Sequence, residues 1–330
     1  AMVASVRAQG GIWTQADLSR YQVKERAPIS FPYRGLKVVS AAPPSAGGLT
    51  LAETLNILSR YDLTQQNEVQ RMHLVSEALR RAYHDRARYL GDPDFVQIPS
   101  ANLLSRAYAK QRAASIDPSN ATPSANLRAA PTLKQGDQTT HFSIVDRAGN
   151  RVAATLSINT LFGSGFVAGN TGVLLNNEMD DFAASEQGQN VYGLVGSRAN
   201  RVAPGKRPLS SMSPTFVEGK RGVLILGTPG GSRIISMVLL GILGLESAPV
   251  PDVLALVSAP RFHHQYMPDR IEVEPGVFSA DVLDALTLKG HVVHVAQRPW
   301  GNMQAVWIDR ASGQAFAASD PRAAGGALAW

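Results

Sequence analysis

Between residues 115 and 138 the chain is built mostly of Ser, Asp, Asn, Pro, Ala, Thr and Gly, with neither a helical nor a strand period. At Thr139 it changes to alternation, with Phe142 and Ile144 on one side and His141, Ser143 and Val145 on the other, as in a half-buried strand. This break divides what the chain can fold into. Upstream the pattern is helical. Gly47-Gly48 open a stretch with Leu51, Leu55 and Leu58 on one stripe, and Asn67 is placed to cap a longer helix with Met72, Val75, Leu79 and Ala82 facing a core. Gly91-Asp92-Pro93 stop it. Downstream, short strands dominate: 139–146 and 151–159 as a hairpin around Gly149, then 173–175, 223–227, 291–296, 305–309 and 314–318, with a buried helix over 232–243. Helices followed by strands predict an α+β fold. The expected division is residues 1–138, mostly helical and ending in a flexible loop over 115–138, and strand-rich residues 139–330.

At 330 residues the chain can bury a substantial core, and 44% hydrophobic with 18% charged residues fits a globular protein. The net charge of +6 comes from Lys and Arg scattered singly or in pairs such as Arg80-Arg81, Lys206-Arg207 and Lys220-Arg221. That scatter argues against nucleic acid and suits small anions. Without cysteine there is no disulfide, thiolate chemistry or Cys-based zinc site. The longest apolar run, 234–245, is broken by Ser236 and two glycines and falls short of the roughly 20 residues of a membrane span, so no span is expected.

A threonine at the junction of a loop and a strand can become catalytic if the chain is cut before it. Its hydroxyl is then the nucleophile and its freed α-amino group the base. On the second strand of the hairpin a period of two puts Thr155, Ser157 and Asn159 on one face, where Ser157 and Asn159 converge with Thr139 or simply meet solvent. Glu178, Asp180 and Asp181 follow an apolar segment. They suit a metal, an acid and base pair, an ammonium group, or a solvated turn. Ser210, Ser211 and Ser213 form a dense hydroxyl loop. In Gly227-Thr228-Pro229-Gly230-Gly231-Ser232-Arg233 a strand runs into paired glycines that open an apolar helix, which is either an oxyanion hole or a tight packing turn. Gly163, Gly165 and Gly169 do not keep the dinucleotide spacing, and His263-His264 lacks the partners of a zinc site, so no metal or cofactor is expected.

Five stretches in order resemble the γ-glutamyltransferase (γ-glutamyltranspeptidase) family of N-terminal nucleophile hydrolases. They are Thr139-Thr140-His141-Phe142-Ser143, Leu175-Asn176-Asn177-Glu178-Met179-Asp180-Asp181-Phe182, Pro208-Leu209-Ser210-Ser211-Met212-Ser213-Pro214, Gly230-Gly231-Ser232-Arg233 and Ala259-Pro260-Arg261-Phe262-His263-His264-Gln265. Gly10-Gly11-Ile12, Pro43-Pro44-Ser45-Ala46-Gly47-Gly48 and Tyr89-Leu90-Gly91-Asp92-Pro93 look like the later part of the family's large subunit, and residues from Thr139 like its whole small subunit.

The resemblance implies self-cleavage between Gln138 and Thr139, followed by γ-glutamyl transfer or hydrolysis from glutathione and related amides through an ester on Thr139. Water or an amine is the acceptor. It implies that Ser157 supports the nucleophile, that Asn159, Glu178 and Asp181 bind the glutamyl ammonium, and that Ser210 and Ser211 hold its carboxylate. Gly230 and Gly231 match the oxyanion hole, and Tyr192 the aromatic residue of a lid. The family fold is an αββα sandwich, expected here to be incomplete because nothing matches the upstream half of the large subunit, including its carboxylate-clamping arginine. Exposed core surface is then expected to favour self-association or pairing with an upstream polypeptide. Export to the periplasm or outside the cell is implied by the family. A cephalosporin-acylase-like amidohydrolase and a catalytically silent module are the alternatives, and retention of Asn159, Glu178 and Asp181 favours a glutamyl substrate.

Overall fold

The long helix expected after Asn67 is α4 (Glu68–Tyr89), begun where Asn67 Oδ1 accepts from the Gln70 amide at 2.8 Å and ended before Gly91. It belongs to a computed structural model that describes residues 1–127, 139–183, 198–246 and 251–328. The other helices are α1 (Met2–Ala8), α2 (Gln15–Ser19), α3 (Gly47–Leu58), α5 (Ser100–Leu103), α6 (Arg106–Ala114), α7 (Ile234–Gly244), α8 (Val253–Ser258) and α9 (Ala280–Leu288). The strands are β1 (Ile29–Tyr33), β2 (Leu36–Ser40), β3 (Thr139–Val145), β4 (Arg151–Ser157), β5 (Thr215–Glu218), β6 (Gly222–Gly227), β7 (Phe262–His263), β8 (Ile271–Val273), β9 (Val293–Val295), β10 (Gln304–Asp309) and β11 (Ala315–Ser319). The fold is α+β.

Six strands form an antiparallel sheet in the order β1-β2-β5-β6-β10-β11, so strands from both sides of Thr139 share one sheet. β6 is buried on both faces, which is why it reads as an unbroken apolar run. Leu224 and Leu226 join the main core with α3 and α7, whereas Val223 and Ile225 join Val306 in a second cluster beneath the β3–β4 hairpin. The described residues thus stack helices, sheet and hairpin in three layers. β7, β8 and β9 make a separate small sheet in which β8 and β9 run parallel.

One expectation needs correction, and two strands were not foreseen. Residues 173–175 form no strand; Leu174 makes only an isolated bridge to Val167, because this segment is folded back on its own loop rather than laid along a sheet. β1 and β2 escaped the reading because β1 carries Pro32, which weakens a strand signal and is tolerated here because β1 is the sheet's edge. The hairpin's orientation is also informative. Its polar face, with Thr139, His141, Ser143, Thr155 and Ser157, turns toward the six-stranded sheet. Its apolar face stays outside, with Phe142 41%, Ile144 47%, Val152 45% and Leu156 51% exposed.

A buried polar chain fastens α4 to segments on both sides of Thr139. The Asp117 carbonyl can only accept, so His73 Nε2 (2.8 Å away) carries a proton; neutral His73 then accepts at Nδ1 from His291 Nε2, also at 2.8 Å. His291 Nδ1 is left as the acceptor facing Arg80 Nη2 at 3.5 Å. Burial lowers His73 and His264, the latter to about 4, and burial with neighbouring cationic groups lowers His291 to about 3. These rings are neutral in the folded protein but protonate near pH 6.5 when unfolded, so the unfolded chain binds more protons below that pH and stability falls with it. Each neutral ring contributes a slope of about 1.4 kcal/mol per pH unit between pH 6.5 and its folded value. The urea midpoint is expected to fall from pH 7 to pH 5, and His291→Gln to give a measurably shallower fall in the same titration.

Candidate active site

Strand register brings the first predicted pair together. Thr139 opens β3 opposite Ser157 at the end of β4, with their hydroxyl oxygens 3.1 Å apart. A serine hydroxyl has one proton and two acceptor positions. Ser157 Oγ accepts from the Asn159 amide at 2.9 Å and hydrogen-bonds the Glu178 carboxylate. Either hydroxyl can be the donor in the contact between the two.

Asn159 follows at φ 73°, a left-handed conformation that Asn adopts more readily than most residues. Its Nδ2 donates to the Asn177 carbonyl at 3.2 Å, and Asn177 Oδ1 accepts from the Thr160 amide at 3.1 Å and hydroxyl at 2.9 Å. This strap draws the next loop against the end of β4. Glu178 and Asp181, on a single 3-10 turn, arrive beside Ser157 in consequence and hydrogen-bond each other. Burial raises Glu178; burial and then the Glu178 charge push Asp181 up to about 8, against a downward pull from Arg86. The pair shares a proton near neutral pH, and a cation brought beside it would drive that proton off.

The hydroxyl loop is pinned from the segment before α3. Ser210 N donates to the Pro44 carbonyl at 3.0 Å, Ala46 N to the Ser210 carbonyl at 2.8 Å, and Ser45 Oγ to the Met212 carbonyl at 2.6 Å. A Cβ on Gly47 would stand 2.2 Å from Ser213 Oγ, so only glycine allows this approach. The glycine turn lies at the end of β6, with Gly230 at φ 139° and Gly231 at φ 55°. Neither amide donates to another described group. The Tyr83 hydroxyl, from α4, holds the turn by donating to the Ser232 carbonyl, and Ser232 Oγ donates to Gln265 Oε1 at 2.6 Å.

One cleft is lined by Thr139, Ser157, Asn159, Glu178, Asp181, Ser210, Ser211 and Gly231, whereas Gly230 does not reach its wall. Gln138 and Tyr192 lie outside the described residues. Asp180 is exposed. His263 and His264 are both buried, and His263 bonds Ser236 Oγ at 2.7 Å and Gln265 Oε1 at 2.8 Å, which makes the pair structural. Among the described residues no group of three or more His, Asp or Glu is arranged to hold a metal ion. Sequence reasoning missed Arg86, which also lines the cleft. Its signal was available: Arg86 continues the core-facing stripe of Met72, Val75, Leu79 and Ala82 by one more turn, where a charged residue is out of place. Asn177 was missed as a strap because an Asn in a loop carries no periodic signal.

The gamma-glutamyltranspeptidase family model matches residues 1–330. The glutathione hydrolase proenzyme of Escherichia coli (strain K12) is 46% identical over 322 residues, covering 96% of this chain and 55% of that protein. The chain therefore spans about half the length of the curated relatives it matches. Among solved structures, a cephalosporin acylase from Bacillus halodurans is 26% identical with a TM-score of 0.82, covering 99% of this chain and 57% of that one. A mutant of Helicobacter pylori gamma-glutamyltranspeptidase is 42% identical with a TM-score of 0.53, covering 56% of this chain and all of the matched chain. With a family match that runs from the first residue to the last, the chain belongs to the gamma-glutamyltranspeptidase family.

Proposed function

We propose that the chain performs γ-glutamyl transfer or hydrolysis on glutathione and related amides, through a γ-glutamyl ester on Thr139 formed after self-cleavage at Gln138-Thr139. The observation that carries the reading is the 3.1 Å contact of Thr139 Oγ1 with Ser157 Oγ at a cleft lined by both acidic and basic side chains. Glu178 and Asp181 suit an ammonium group. Ser210, Ser211 and the buried Arg86 suit a carboxylate. An α-amino acid needs both, at a fixed separation from the carbonyl that is attacked.

In this reading the Thr139 hydroxyl first attacks the carbonyl of Gln138, the amide C–N bond breaks as the ester forms and frees the Thr139 α-amino group, and water then hydrolyses the ester to release the Gln138 carboxylate and restore the hydroxyl. That amine, titrating near pH 7.7 to 8.0 when unperturbed, is the base for the second nucleophilic attack. The Gly231 amide, with Gly230 beside it, faces the oxyanion that forms. Export to the periplasm or outside the cell goes with this assignment, as does the need for an upstream partner segment to complete the site. An acylase reading uses the same nucleophile, but an acyl group without an ammonium leaves Glu178 and Asp181 without a task.

Thr139→Ala is expected to leave a single uncut chain on a denaturing gel; the same two fragments in that variant would assign the cut to another protease. Asp181→Asn is expected to lower kcat/KM for γ-glutamyl-p-nitroanilide roughly ten- to a hundredfold, with self-cleavage intact, since a hydrogen bond to a charged group is worth about 1.5 to 3 kcal/mol. Unchanged turnover by that variant in the full-length protein would remove Asp181 from substrate recognition.

A further inference from the structure

Arg86 is only 4% exposed, and its charge is not spent as those of the other buried arginines are. Arg80 and Arg81 face Glu77, and Arg261 faces Asp320. Arg86 makes one hydrogen bond among the described residues, from Nη2 to Ser211 Oγ at 3.1 Å, while its Nε is buried without a partner. Asp181 acts on it through charge alone. A buried guanidinium held this way is costly to the fold, and its place on the cleft wall indicates an anion that completes it.

We propose that Arg86 is a positioning residue that selects substrates carrying an α-carboxylate, acting through Ser211; this rests on the glutamyl reading above. The chemistry follows from counting protons. An Arg86 N–H occupies one acceptor position of Ser211 Oγ, and no other described group takes the Ser211 hydroxyl proton. That proton is left to donate to a carboxylate in the cleft, and the guanidinium charge stands directly behind the oxygen that donates it. Glu178 and Asp181 line the same cleft and bring the opposite charge to it. Cationic and anionic groups in one cleft suit a zwitterionic head group, whose placement sets where the scissile carbonyl lies. Lysine cannot reproduce this, because a point charge does not hold Ser211 in the plane of a guanidinium.

The test compares two substrates in the full-length protein: γ-glutamyl-p-nitroanilide, and 4-aminobutyryl-p-nitroanilide, which lacks only the α-carboxylate. Arg86→Met is expected to lower kcat/KM for the first by roughly ten- to a hundredfold, chiefly through KM, while the loss on the second is at least about tenfold smaller. Ser211→Ala is expected to erode the same preference, Arg86→Lys to restore it only in part, and Arg86→Met with Ser211→Ala to fall short of the sum of the single effects. Equal losses on both substrates, or fully additive effects, would mean that Arg86 only supports the fold and would overturn the proposal. Should Arg86→Met not fold, as judged by its thermal melt, Ser211→Ala and Arg86→Lys decide the matter by the same ratio. If the unsubstituted protein turns over neither substrate, the glutamyl reading fails and the proposal with it; turnover with an unchanged preference in the variants sinks the proposal alone.

Discussion

The register of β3 on β4 controls the arrangement of everything else. Thr139 stands opposite Ser157, His141 opposite Thr155, and the shared face turns toward β6 and β10. A slip of one residue would turn Thr139 outward and carry Phe142 and Ile144 inward, because strand side chains alternate with a strict period of two. The position is held by packing as well as pairing. His141 lies so close to Gly227 that a Cβ there would meet its ring at 2.2 Å, and Val145 and Ala153 rest on Val223, Ile225 and Val306. The same strand, β6, then ends in the glycine turn. Thr139 and the glycine turn are therefore positioned by one contact between two layers.

α4 supplies the second constraint. Within one helical turn Tyr83 holds the Ser232 carbonyl and Arg86 holds the Ser211 hydroxyl, so a helix from before Thr139 sets the spacing between two loops from after it. Farther along the same helix, His73, Glu77, Arg80 and Arg81 bind the segments around residues 117–124 and 269–291. Despite its burial, Glu77 is held at about 2 by Arg80, Thr122 and Arg81. Such a row is strong only while it is complete, since each member removed leaves a buried charge or hydrogen-bonding group unpaired. Cutting the chain before Thr139 is compatible with this construction, because the pieces on either side share a sheet and a polar network rather than a linker alone.

The hairpin shows why a pattern of residues can mislead about environment. Alternation separated a polar from an apolar face correctly, yet the polar face is the one turned toward the second sheet and the apolar face the one left exposed. Hydrophobicity sets which residues share a face, but which face is covered depends on what the other layers place there. The same reasoning applies to Asn177, whose strap between residues 159 and 178 depends on two loops meeting.

By itself the sequence determined the local elements that have strong periods or caps: α3, α4, α7 and the β3–β4 hairpin. It also supplied Thr139, Ser157, Glu178, Asp181, Ser210, Ser211 and Gly231 as candidates, all of which line one cleft. Short edge strands such as β1, with a proline in it, fell below what local pattern can signal. Only the tertiary structure decided which of those residues meet, and that Arg86 on an apolar helical stripe lines the same cleft. The reason is physical: periodicity reports on neighbours within a helix or strand, whereas a site is made by contacts across tens or hundreds of residues, where packing and the pairing of buried charge choose among arrangements that local preference leaves equal.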